Sequence, residues 1–254
     1  MFLDTEICGG GLPEKTLCLT YDDGPGVTCG DGPGPRTLEI GRFLADNKIS
    51  AAFFAVGAHA ARHPHILPQL KCWGHIIGNH TYNHLGLASS IENGRRAVDE
   101  LERTDDLFDR LGVGPVRFFR APYGSWLDES PSGKGIHSSV ASRLNRSQVL
   151  KKYTGHIHWD ICTCDYDFWK ARAPAAECAD FSLRLIESIG RGIVLFHDSS
   201  EDPQQRHWNR TYEVTTRIVP ILLERGYRFV RLDEVPKVQA ALGAGPSPAA
   251  SAVA

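Results

Sequence analysis

The chain has 254 residues, 42% hydrophobic and 23% charged, with a formal net charge of −2. That length and balance suit one large α/β domain. The near-neutral charge leaves no basic footprint for nucleic acid or for a membrane surface, and no apolar run approaches the ~20 residues of a bilayer span.

Short apolar runs alternate with longer amphipathic ones. Thr16–Tyr21 reads as a first strand, followed by a Gly/Pro-rich loop from Gly24 to Pro35. A helix is predicted over Arg36–Asn47, with Leu38, Phe43 and Leu44 on one side. Ser50–Val56 reads as a buried strand, His65–Trp73 as a helix, and His75–Ile77 as a short strand. Glu92–Leu111 reads as a long charged helix and Val116–Phe119 as a strand. Val140–Tyr153 is predicted helical and Gly155–Ile161 a strand. The helix Ala175–Gly190, strand Ile193–Phe196, helix Tyr212–Arg225 and strand Tyr227–Val230 complete the series. Repeated β-then-α units imply a mostly parallel sheet with right-handed crossovers. One domain over residues 1–236 is expected. From Lys237 to Ala254 the chain is rich in Ala, Gly, Pro and Ser and is expected to be a disordered tail.

Seven cysteines (Cys8, Cys18, Cys29, Cys72, Cys162, Cys164, Cys178) are an odd number without regular spacing. Cys162-x-Cys164 is half a zinc site or, preferred here, a pair of buried inert thiols. Reduced thiols and a start without signal-peptide character favour the cytoplasm; secretion is the alternative if a leader has been removed. No feature sets an oligomeric state.

Polar clusters gather where the predicted strands end, the face on which barrels of parallel strands build their sites. In Gly74–His84 (GHIIGNHTYNH), His80 and His84 lie four apart, a spacing that on a helical turn brings two imidazoles to one ion. A catalytic zinc takes three protein ligands and keeps an open position, so a third donor is needed. Asp22-Asp23, before Gly24-Pro25, reads as a turn or as that donor together with a general base. Arg120 is a surface cation beside a proline turn or the ion-pair partner of the base. Pro122 would set the loop so that the Tyr123 N–H meets an oxyanion. His197, after an apolar strand, is a core histidine or a general acid, with Asp165 as the candidate to raise its pKa.

The segments TYDDGP, HTYNH, RAPYG, WDICTCDY and LFHD stand in the order of the five motifs of the NodB-type polysaccharide deacetylases, carbohydrate esterase family 4. AAFFAVG and GHIIGNH are similar too, and the resemblance runs from about Leu17 to Val235. It implies a distorted (β/α) barrel of about seven parallel strands and metal-dependent removal of acetyl groups from an acetylated glycan. It also implies Asp23, His80 and His84 as metal ligands, Asp22 as base paired with Arg120, and His197 as acid tuned by Asp165. The Tyr123 N–H would assist at the oxyanion and Leu195 would line the acetyl pocket. The metal expected is Zn²⁺, with Co²⁺ or Ni²⁺ as substitutes.

Two positions depart from the motifs. Tyr166 stands where tryptophan is usual, which alters the pocket wall unless Trp169 substitutes. Cys162 stands where a further aspartate is common, leaving Asp160 and Asp167 as rivals to Asp165. Long loops at Trp126–Lys152 and Ser199–Asn209 are placed to set specificity. Within the second, Trp208 either stacks on a sugar ring or packs under its own loop. The expected activity is N-deacetylation of N-acetylglucosamine units in chitin oligomers or a related glycan. The rivals are an O-acetyl xylan esterase and a catalytically silent glycan-binding relative.

Overall fold

The computed structural model describes residues 6–28, 33–92, 97–126 and 147–243, together with Val140 and Leu144. Among these residues there are eight strands: β1 (Glu6–Ile7), β2 (Thr16–Asp22), β3 (Ala52–Ala55), β4 (Ile76–Asn79), β5 (His156–Ile157), β6 (Ile161–Cys162), β7 (Gly192–His197) and β8 (Arg228–Phe229). Their pairings are parallel, in the order β4-β3-β2-β7-β6, with β8 beside the start of β2 and β1 beside β5. Single bridges from Phe119 to Asn79 and to His156 join the two groups. The strand expected over Val116–Phe119 is thus reduced to one bridging residue.

The expected strand Gly155–Ile161 is split. Its first part pairs with β1 and its second with β7, and Trp159-Asp160 makes the step between them. At that step the Asp160 carboxylate accepts the N–H groups of Gly9 at 2.7 Å and Ile193 at 2.8 Å. A side chain there replaces missing strand–strand bonds and closes a distorted (β/α) barrel.

Alternation along the strands sorts two cores. Leu17, Leu19 and Tyr21 face outward to the helices, with Phe53, Val194 and Phe196. Cys18 faces inward with Ala52, Phe54, Ile76, Ile157 and Ile193. Thr20 and Asp22 continue that inward row toward the carboxyl end, so polar side chains replace apolar ones as the barrel reaches its mouth.

Helix α1 (Thr37–Asp46) buries Thr37, Ile40, Gly41 and Leu44. That spacing is one helical stripe; Leu38 and Phe43 only flank it, partly buried. Gly41 is required for packing, because a Cβ there would overlap the Leu70 side chain of the neighbouring helix α3 (Ile66–Cys72). A short helix α2 (Gly57–Arg62), not expected from the sequence, follows β3. The charged region contains α4 (Leu87–Glu92) and α5 (Ala97–Arg110), the latter inserting Leu101, Thr104, Asp105 and Phe108. The helices Ala175–Ile189 and Thr211–Glu224 pack together against the outer core. Of the expected helix Val140–Tyr153, Val149–Lys152 is a short 3₁₀ turn, and half of the rest lies outside the described residues.

The expected boundary at 236 moves. Pro236–Gly243 is a helix whose Val238 is fully buried with Leu12, Leu232 and Val235 at the inner core. Burying that apolar surface offsets the ordering of a segment whose composition resembles a linker. Residues 244–254 lie outside the described part.

Candidate active site

The two histidines of HTYNH do not share a helical turn. His80 to His84 is a loop in which Thr81 and His84 have φ of 68° and 55°. Side-chain and backbone bonds make the loop stable. Asn79 Oδ1 accepts the Thr81 N–H at 2.8 Å, while its Nδ2 donates to the Leu101 carbonyl, Asp105 and the Tyr153 hydroxyl. Carbonyls of Thr81 and Tyr82 accept the first N–H groups of α2, and Asn83 binds the Glu100 carboxylate. Polar anchoring, rather than helical periodicity, brings the rings together.

His80 Nδ1 donates to the Arg120 carbonyl at 2.8 Å, which leaves Nε2 as the lone-pair atom. That Nε2 lies 3.3 Å from Asp23 Oδ1, and His84 Nε2 lies 3.0 Å from the same oxygen. Among the described residues, the buried Asp23 Oδ1 has no hydrogen-bond partner. Asp23 itself has left the strand with φ 73°, which turns its carboxylate toward the imidazoles. Burial pushes the Asp23 pKa up, but His84 and His80 outweigh this and hold it well below the ordinary carboxylate range. Three buried donors from one carboxylate and two imidazoles match the chemistry of a divalent metal with an open position, and these residues fit it.

Asp22, the last residue of β2, points into the barrel. Its Oδ1 is 2.7 Å from Arg120 Nη1, and its Oδ2 faces His80 Nε2 at 3.7 Å. Arg120 has no exposed surface. Its Nη1 also donates to Thr20 Oγ1, its Nε to the Ile157 carbonyl, and its Nη2 to the His158 carbonyl. The guanidinium lies over the Phe54 ring. A cation so fully bonded orients one oxygen of Asp22 and leaves the other toward the mouth.

On β7, His197 Nδ1 donates to Asp165 Oδ1 at 2.7 Å, and Asp165 Oδ2 accepts the His197 backbone N–H at 2.7 Å. Asp165 is fully buried, and Thr211 also donates to it. Burial disfavours the imidazolium, but Asp165 reverses the balance and pushes the His197 pKa up to about 10. Asp160 is occupied closing the barrel, and Asp167 is exposed on the helix Asp165–Lys170, so Asp165 alone of the three bonds this histidine.

Around this pair, the Tyr166 ring stands edge-on to His197 at 5.2 Å, and Leu195 is buried one inward position earlier on β7. Tyr123 adopts φ 62°, with its ring 4.9 Å from that of His84. Trp169 is buried in the outer core. Trp208 packs partly buried on that core beside Arg172. Among the described residues, no third donor gathers on Cys162 and Cys164, whose sulfurs are 3.7 Å apart.

Three residues at the mouth received no role from sequence. His59 Nδ1 donates to the Asp23 carbonyl at 2.6 Å, and its Nε2 lies 3.0 Å from Glu201. Asp198 accepts from Thr37, and burial pushes its pKa up to about 7. A Cβ on Gly24 would overlap the Asp198 carboxylate, so glycine admits that side chain beside Asp22. The LFHD segment contained Asp198, but only the fold reveals its contact with Gly24.

Residues 9–134 match the family model described as polysaccharide deacetylase. A chitooligosaccharide deacetylase of Rhizobium leguminosarum bv. trifolii is 33% identical over 232 residues, covering 88% of this chain and 93% of the relative. The chain belongs to the polysaccharide deacetylase family. This deacetylase also resembles, in fold, the crystal structure of the Bc1960 peptidoglycan N-acetylglucosamine deacetylase, with a TM-score of 0.65 and 24% identity over 87% of this chain and 88% of that one. A crystal structure of BA3943, a CE4 family pseudoenzyme from Bacillus anthracis, has a TM-score of 0.61 at 21% identity, covering 87% and 65%. Since a pseudoenzyme shares the fold, activity in this deacetylase has to be argued from its side chains. No described helix is long and apolar enough to cross a membrane.

Proposed function

We propose that this deacetylase hydrolyses the N-acetyl groups of N-acetylglucosamine units in chitin oligomers or a related polysaccharide. The observation that carries the reading is the convergence of three sets at one mouth: Asp22 with Arg120, Asp23 with His80 and His84, and His197 with Asp165. A silent glycan-binding protein has no use for both a base and an acid in these pairings.

Asp23 Oδ1 and the Nε2 atoms of His80 and His84 would hold a divalent metal, with Zn²⁺ suited to the donor set and Co²⁺ or Ni²⁺ as substitutes. Such an ion, when bound, polarises the amide carbonyl and lowers the pKa of water. Asp22, steadied by Arg120 at Oδ1, takes the proton of the attacking water at Oδ2. The Tyr123 N–H bonds the oxyanion. His197 delivers a proton from Nε2 to the departing amine, while Asp165 balances its charge at Nδ1. Leu195 and Tyr166 border the acetyl methyl, and Trp208 is available to the outer part of the glycan.

The amide reading is favoured over an O-acetyl xylan esterase because His197 is held protonated well above neutral pH. An amine needs that proton to leave; an alkoxide needs it less. Acetate release should be measured side by side on chitooligosaccharide and acetylated xylan, with and without added Zn²⁺. Release from the N-acetyl substrate is expected; release from xylan alone supports the esterase, and glycan binding without acetate release supports the silent relative.

A further inference from the structure

A second group of metal-type donors lies on the other side of the barrel wall. The parallel register places Glu6 of β1 beside His156 of β5, and strand alternation returns His158 to the same face. Ile157, between the histidines, points into the inner core, so His156 and His158 face outward. Glu6 Oε1 lies 3.7 Å from His156 Nδ1 and 3.8 Å from His158 Nδ1. One donor atom from each residue lies within 4.8 Å of the others. Ligands on a tetrahedral zinc are spaced by about 3.3 Å, so the Glu6 carboxylate needs to approach each imidazole by only about half an ångström.

His156 supplies the independent observation. It is fully buried, and among the described residues neither ring nitrogen has a hydrogen-bond partner. A buried ring nitrogen without a partner is destabilising, and a bound cation supplies the missing partner. The Trp126 ring stacks on His156 at 5.7 Å and Phe119 tilts against it, so the imidazole is fixed in place before any ligand arrives. Glu6 and His158 are partly exposed, at 22% and 23%, which provides the way in.

We infer that Glu6, His156 and His158 form a second divalent-metal site, of the two-imidazole, one-carboxylate type that suits Zn²⁺. The site sits under the loop that carries Tyr123. Gly124 approaches the rings of Trp159 and His158 so closely that a Cβ would stand 2.5 Å and 3.1 Å from them, and Trp126 at the loop's end covers His156. An ion there ties β1 to β5 and stiffens the floor beneath Pro122–Trp126.

The test uses the full chain, stripped with chelator and dialysed against Zn²⁺, with bound metal counted by elemental analysis. Wild type should hold two equivalents. His84→Ala, which removes a ligand of the mouth site, should hold one. Adding Glu6→Gln and His158→Asn to His84→Ala should remove that one, and circular dichroism should show the barrel intact. If the triple variant does not fold, Glu6→Gln in the His84→Ala background is read by Co²⁺ absorption, where at least a tenfold weakening is expected. One equivalent in wild type, or a full equivalent kept by the triple variant or bound undiminished after Glu6→Gln, overturns the site. None of these readings depends on acetate release, so they stand apart from the deacetylase proposal.

Discussion

Asp165 holds His197 twice, at the ring Nδ1 through one carboxylate oxygen and at the backbone N–H through the other, both at 2.7 Å. The second bond fixes where the histidine sits and the first fixes its protonation. Burial works against the imidazolium, yet Asp165 pushes its pKa up to about 10. If protonated His197 is the acid, activity falls as pH rises through that value. Asp165→Asn removes the negative charge, lowers the pKa, and should move the basic limb of the pH–rate profile to lower pH. An unmoved limb would assign it to another group.

His197→Ala tests the leaving group. Loss should be greater on an N-acetyl sugar than on an activated aryl acetate, whose leaving group departs unprotonated. Equal losses in kcat/KM on both would reassign His197 to oxyanion stabilisation.

Removing any one of Asp23, His80 and His84 leaves two donors at the mouth. Each alanine variant should lose metal from that site together with activity, while circular dichroism stays native. Full zinc occupancy of the mouth in His80→Ala or His84→Ala would defeat the ligand assignment.

Asp22→Asn retains the shape and most hydrogen bonding of the side chain but not its basicity. Metal content should stay at the wild-type level while turnover falls by roughly 10²–10⁴-fold, the usual worth of a general base. Wild-type turnover would mean that another group takes the proton.

Arg120 is a buried cation whose loss strands Asp22 as an unpaired buried charge. Arg120→Met should cost about 3–5 kcal/mol in urea unfolding. Adding Asp22→Asn to that variant should recover part of the loss; a fully additive pair would show that the two residues are not energetically coupled.

The sequence revealed the mouth better than the wall. Asp22, Asp23, Arg120 and His197 were found because strand ends are marked by a change from apolar to polar residues, and that change is local. The spacing of His80 and His84 suggested a shared helical turn, whereas a loop brings the two rings together. Their proximity comes from a loop tied by Asn79 to Leu101, Asp105 and Tyr153, contacts remote in sequence. The split at Trp159-Asp160 was equally hidden, since an apolar run does not say which neighbours it pairs with. His59 and Asp198 act through contacts with Asp23 and Thr37 that only the folded chain brings within reach.

The helix Pro236–Gly243 stoppers the barrel at the end opposite the catalytic mouth, with Val238 seated among Leu12, Leu232 and Val235. The carboxyl end of that helix therefore lies at the rear of the molecule. Held on a bead or a surface through that helix, the protein would point its barrel mouth outward, the orientation needed to work along an insoluble polymer.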